Sequence, residues 1–129
     1  MRTVVITGGT RGLGYELAKE FLQRKYNVVI CGTSDASVNK AVELLGSSCS
    51  DGEIAGMKCN VSVLSEVEAL ADFAEGQFEK IDIWINNAGV NQSYCYFWEV
   101  CESEMEFLLN VDLKGAINGT SVATKRMIK

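Results

Sequence analysis

The chain has 129 residues, 47% of them hydrophobic and 22% charged, the make-up of one globular domain large enough to bury a core. Its net charge is -5 and its 12 Lys and Arg are scattered, so it carries no electrostatic footprint for nucleic acid or an anionic membrane. Histidine is absent, which removes Ser-His-Asp and Cys-His catalysis, and the 5 cysteines contain no C-x-x-C spacing for zinc.

Met1-Arg2 leads straight into apolar sequence without a charged leader, an h-region or a cleavage site. The expectation is a soluble intracellular chain with no targeting segment in the residues given. Thr3–Thr7 is β-branched and reads as a strand. From Gly12, Leu13, Leu17, Ala18, Phe21 and Leu22 share one helical face as far as about Lys25. Asn27–Cys31 is a second strand. Val38, Ala41, Val42 and Leu45 then mark a short helix expected to stop at Gly46, with a polar loop over Ser47–Gly52. Ile54–Cys59 is a third, weaker strand interrupted by Gly56. Leu64, Val67, Leu70, Ala71, Ala74 and Phe78 give an amphipathic helix, and Ile81–Ile85 a fourth strand. A polar, aromatic loop over Val90–Trp98 precedes a long helical segment from about Ser103.

Strands that are apolar throughout and alternate with helices predict an α/β fold. Four parallel strands in the order 3-2-1-4 would carry helices on both faces, doubly wound, and stop before a fifth strand. Cys31 and Cys59 end strands and read as small hydrophobes, with all five cysteines as reduced thiols.

The stretch TGGTRGLG, Thr7–Gly14, falls where the first strand meets the first helix. Glycines admit positive φ and close backbone approach, while a helix N-terminus presents free N–H groups and partial positive charge, so this placement predicts a pyrophosphate turn. A purely structural turn is the competing reading. The sequence Asn86-Asn87-Ala88-Gly89 follows the fourth strand, where Asn and Gly equally suit a plain strand-ending turn.

The spacing Gly8-x-x-x-Gly12-x-Gly14, together with NNAG at 86–89, resembles the short-chain dehydrogenase/reductase family, whose members are NAD(P)(H)-dependent oxidoreductases on a Rossmann fold. The stretch GAINGTSVATKRM at 115–127 looks like its long fifth helix. Within the family, NVVIC, GMKCNVS and IDIWINNAGVN look closest to the chlorophyll(ide) b reductases of plastids. The resemblance covers essentially residues 1–129 and makes them an NAD(P)-binding Rossmann domain. It implies that Gly8, Thr10, Arg11, Gly12 and Leu13 line the phosphates and adenosine ribose, and that Gly14 permits close packing. It also implies that Asn60 and Val61 meet the adenine, and that Asn87, Ala88 and Gly89 lie on the ribose and adenine side.

Cofactor preference follows from charge. An acidic residue at the end of strand two would bind a ribose 2′-hydroxyl and repel a 2′-phosphate. Gly32, Thr33 and Ser34 stand there instead, and Arg11 supplies a cation, which favours NADP(H) over NAD(H). Thr33 occupies a place where NADP-preferring members often carry Arg, so Arg11 is the single basic grip. Asn60 replaces the family's Asp and can still accept a hydrogen bond. Asp112 stands where the family's helix-five Asn supports a proton-relay water.

The family's catalytic Ser and Tyr-x-x-x-Lys follow that helix, and the residues given reach Lys129 within it. None of Tyr15, Tyr26, Tyr94 and Tyr96 has Lys four residues on. No catalytic residue is therefore assigned, and the expected partners are a nicotinamide dinucleotide and, in a complete enzyme, a small carbonyl substrate. Two other readings stay open: a non-catalytic nucleotide-binding or interaction fragment, and a 3-oxoacyl carrier-protein reductase-like enzyme. A plastid reductase would place the chain in the chloroplast. The small residues Gly115, Gly119 and Ala123 make a smooth helix face, suited either to a homo-oligomer or to packing within the chain. Tyr94, Tyr96, Phe97 and Trp98 either border a substrate pocket or anchor an ordered loop. The carboxylates Glu99, Glu102, Glu104 and Glu106 complement a helix start.

Overall fold

Residues 1–128 are described by a computed structural model. Four parallel strands, β1 (Thr3–Ile6), β2 (Asn27–Gly32), β3 (Ile54–Lys58) and β4 (Ile83–Ile85), form one sheet in the order β3-β2-β1-β4. The helices α1 (Gly12–Gln23), α2 (Asp35–Ser48), α3 (Leu64–Phe78), α4 (Glu102–Leu108) and α5 (Gly115–Met127) connect and cover it. The expected topology is the observed one. No helix among the described residues is long and apolar enough to cross a membrane.

Alternation along the strands explains why two of them are apolar throughout. Val4, Ile6, Val28 and Ile30 enter the core beneath α1 and α2, packing on Ala18, Leu22, Ala41 and Leu45. Val5, Val29 and Cys31 enter the opposite core with Val67, Leu70, Ala71 and Ala74 of α3 and Val122 of α5. Each such fully buried aliphatic side chain contributes about 1.5–3 kcal/mol, so both faces of β1 and β2 select against polar residues.

Several boundaries differ from the sequence reading, each for a physical reason. Leu13 does not join the buried face of α1 but is 69% exposed, because the face that meets the sheet is Gly14, Ala18 and Leu22. Helix α2 does not stop at Gly46, which lacks the positive φ of a glycine C-cap that Gly8 and Gly12 show is open to glycine here. The helix ends two residues later, where the Ser47 and Ser48 hydroxyls donate to the Leu44 carbonyl at 3.0 and 2.6 Å. Strand β4 begins at Ile83 rather than Ile81. The Asp82 carboxylate accepts the Thr3 N–H at 2.8 Å, so a side chain takes the place of a ladder carbonyl. The strand is half-buried and its second edge is unpaired among the described residues.

The last helical segment is interrupted. Between α4 and α5, Leu109–Lys114 forms a π-helical stretch, whose backbone continues the helix at both joins. The smooth face of α5 is used within the chain. A methyl group at Gly115 would overlap the Val61 side chain, one at Gly119 would overlap Asn86, and Ala123 is buried. Of the two uses open to this face, packing within the chain is the one observed.

Candidate nucleotide-binding site

The glycine-rich turn is built on two positive-φ glycines, Gly8 at 67° and Gly12 at 58°, a conformation any side chain would strain. It is held from both sides. The Gly9 N–H donates to the Cys31 carbonyl at 3.0 Å, and Thr10 lies against Gly32, where a methyl group would collide with it. On the other side stands Asn87, whose amide nitrogen donates to the carbonyls of Thr7 and Gly8 at 3.1 Å each. The Thr7 hydroxyl oxygen accepts from the backbone N–H groups of Asn87 and Ala88, both at 3.0 Å. The turn and the NNAG segment are thus one hydrogen-bonded unit, and Thr7 is its hub. Sequence reasoning placed Thr7 at the strand end and at the start of the glycine stretch but gave it no role; a hydroxyl residue at that junction was the available signal.

The turn delivers the N-terminus of α1. Arg11 is the N-cap residue, yet no side chain caps the helix and its first turn has no acidic residue. Contrast α2, where the Ser34 hydroxyl accepts the Ser37 N–H at 3.2 Å and Asp35 sits in the first turn. The orphan N–H groups and positive end of α1 are left for an anion. Gly14 keeps the helix close: a methyl group there would run into the Gly8 carbonyl and the Asn87 amide. Arg11 is exposed and forms no ion pair among the described residues, and Thr33 is exposed beyond β2.

At the end of β3, Asn60 forms a local turn. Its Oδ1 accepts from the Ser62 N–H at 3.1 Å and the Ser62 hydroxyl at 2.7 Å. The oxygen expected to accept from a bound base is thus already engaged by Ser62, and the side-chain nitrogen makes no hydrogen bond among the described residues. Val61 is buried, and its carbonyl accepts from the Nδ2 of Asn118 on α5 at 2.9 Å. Asn118 therefore fixes the Asn60-Val61 segment, a role its position inside a helix did not disclose. Beneath this segment Cys31 and Cys59 face each other. The Cys31 sulfur and burial hold the Cys59 thiol well above its ordinary range, so it stays protonated.

Asn86 joins the site to α5: its Oδ1 accepts from Trp84 Nε1 and its Nδ2 donates to the Thr120 hydroxyl, both at 3.0 Å. Asp112, carried by the π-helical stretch, accepts the Val90 N–H at 2.7 Å beside Gly89. Such stretches are frequent at functional sites. Gly8, Gly12, Gly14, Asn87, Ala88, Gly89 and Asp112 are thereby gathered at the ends of β1 and β4, with Asn60, Val61 and Thr33 along the ends of β3 and β2.

The short chain dehydrogenase family model matches residues 2–129. The chain belongs to the short-chain dehydrogenase family. Among curated relatives, the chloroplastic chlorophyll(ide) b reductase NOL of Oryza sativa subsp. japonica is 48% identical over 93 residues, 72% of this chain and 27% of that protein. The chain thus spans about a quarter of that relative's length. A short-chain dehydrogenase/reductase from Burkholderia phymatum, solved in complex with NAD, matches with TM-score 0.90 at 26% identity, covering 97% of this chain and 43% of that one. The alcohol dehydrogenase of Thermococcus sibiricus, complexed with 5-hydroxy-NADP, matches with TM-score 0.90 at 23% identity, covering 98% and 53%. The last of these likenesses bears on the fold of the short-chain dehydrogenases alone.

Proposed function

We propose that the chain is the cofactor-holding part of an NADP(H)-dependent short-chain reductase of the chlorophyll(ide) b reductase type. The observation that carries this reading is the uncapped N-terminus of α1, set behind two positive-φ glycines and locked to NNAG through Thr7 and Asn87. A dinucleotide fits these residues: the pyrophosphate against α1, the adenine along Asn60 and Val61, and the ribose toward Thr33. Asn87, Ala88 and Gly89 form the wall opposite the turn. When bound, the nicotinamide supplies a hydride for a carbonyl or formyl carbon. The 48% identity to a chlorophyll(ide) b reductase supports a formyl-bearing pigment as substrate of the whole protein, and a plastid as its place.

Arg11 is the residue proposed to distinguish the two cofactors, since it lies at the mouth of the turn without an ion-pair partner among the described residues. Calorimetric titration should show tighter binding of NADPH than NADH, and Arg11→Ala should erase the difference. Equal affinities in the parent chain would remove the assignment. Reduction also needs an acid at the developing alkoxide, and no Tyr here has Lys at the fourth following position. The 129 residues alone are therefore expected to bind nucleotide without turning over a carbonyl. NADPH-dependent reduction by the purified chain would overturn that expectation.

A further inference from the structure

The loop after NNAG displays apolar rings that the core does not use. Tyr94 is fully exposed, and Tyr96, Phe97 and Trp98 are 66%, 72% and 78% exposed. Exposed aromatics this close in sequence are uncommon on a soluble surface and mark a contact site. Two of them are ordered against each other: the Tyr96 and Trp98 rings stack with centroids 4.8 Å apart and planes 4° from parallel.

The loop is held in that form by carboxylates rather than by burial. The Val90 N–H donates to Asp112, the Ser93 N–H to Glu104, and the Tyr96 N–H to Glu99 at 3.1 Å. Tyr94, Cys95, Tyr96 and Glu99 line an open depression of 510 Å³, within the range of small-molecule sites of about 300–1,000 Å³. Three anchoring bonds on an exposed loop present a flat π-surface before any ligand arrives, which lowers the ordering cost of binding.

Charge narrows the occupant. Residues 90–108 contain Glu99, Glu102, Glu104 and Glu106 and no Lys or Arg. A phosphopantetheine thioester, an acidic carrier protein or a free carboxylate would meet repulsion here, whereas an uncharged, extended, planar π-system would not. The chain reaches this loop directly from Gly89-Val90, beside the nucleotide wall.

We infer that the Tyr96–Trp98 stack seats the flat face of an uncharged chlorin macrocycle, a positioning platform for the pigment; this rests on the reductase reading above. The acidic surroundings favour the esterified pigment over its free acid.

The test uses the chain with methyl chlorophyllide b and chlorophyllide b as probes, followed by the pigment's absorption shift and tryptophan quenching. Trp84→Phe leaves Trp98 as the reporter, and its fluorescence should be quenched saturably by the ester, which should bind more tightly than the acid. Trp98→Ala and Tyr96→Ala should each weaken the ester by about tenfold while NADPH affinity stays put. Chain that binds NADPH but no pigment, variants that bind as wild type, or preference for the acid would each overturn the platform and leave the nucleotide site standing. If neither nucleotide nor pigment binds, both readings fall. If Trp98→Ala abolishes self-association in sedimentation with pigment affinity unchanged, the stack is a contact between copies and the inference is wrong.

Discussion

Replacing Thr7 by Val tests whether the hub joining the two motifs is a hydroxyl or merely a filled space. Valine has nearly the same shape, so no cavity opens, but the oxygen accepting from the Asn87 and Ala88 N–H groups is lost. Each donor left without a partner in a buried place costs about 1–3 kcal/mol. Thr7 is 2% exposed, while Asn87 and Ala88 are half-buried and regain part of that from water. The expected loss is about 2–4 kcal/mol. At a urea slope of about 2 kcal/mol per M, the unfolding midpoint falls by about 1–2 M. Circular dichroism and Trp84 fluorescence would follow it, since Trp84 is hydrogen-bonded to Asn86 in the same segment. Thr7→Ser retains the oxygen and removes one methyl, at about 1 kcal/mol. If Thr7→Ser is as damaging as Thr7→Val, packing rather than hydrogen bonding joins the motifs, and the argument is refuted.

Gly14→Ala places a methyl against the Gly8 carbonyl and the Asn87 amide. A loss of about 1–3 kcal/mol in stability is expected, with at least about tenfold weaker NADPH binding by calorimetry; unchanged affinity would show that the turn need not be this close. Asp82 makes a pH prediction. The Lys80 ammonium and the Thr3 N–H hold its carboxyl below the usual carboxylate range, so it releases its proton more readily folded than unfolded. Its contribution is present in full above the ordinary carboxylate pKa and disappears as pH falls through the lowered folded value. Asp82→Ala should therefore cost about 1–2 kcal/mol near neutrality, and urea midpoints of variant and parent should converge in acid. A gap that stays constant from pH 7 to pH 2.5 or so would contradict it.

The strand order was legible because two strands with continuous apolar runs can only be central, and Val4–Ile6 and Val28–Ile30 are fully buried. The glycine turn and the NNAG strand end were legible because glycine spacing and strand-end placement are local properties. What joins them was not. Asn87 donates to carbonyls 79 and 80 residues away, a pairing that exists only once β4 lies beside β1. The π-helical stretch had no local cause either: LNVDLK contains no Gly or Pro to disturb a helix. It lies between the Asp112–Val90 bond and the fit of Gly115 and Asn118 to Val61, which are tertiary contacts. Asp82 likewise read as a residue inside a strand, since only the opposing Thr3 N–H reveals that its side chain has replaced a ladder carbonyl.

The tie between Thr7 and Ala88 spans 81 residues and also sets the order of events in folding. The glycine turn is made early in the chain, but its second wall arrives only after three crossover helices have brought β4 beside β1. Closing so long a loop is among the slow, entropically costly steps of assembly. The proposed nucleotide site therefore cannot mature ahead of the sheet, and a nucleotide that needs both walls would ignore partly folded forms. Such a ligand raises the midpoint of unfolding in proportion to the logarithm of its concentration, so the proposed cofactor would act as a selector for completed chains.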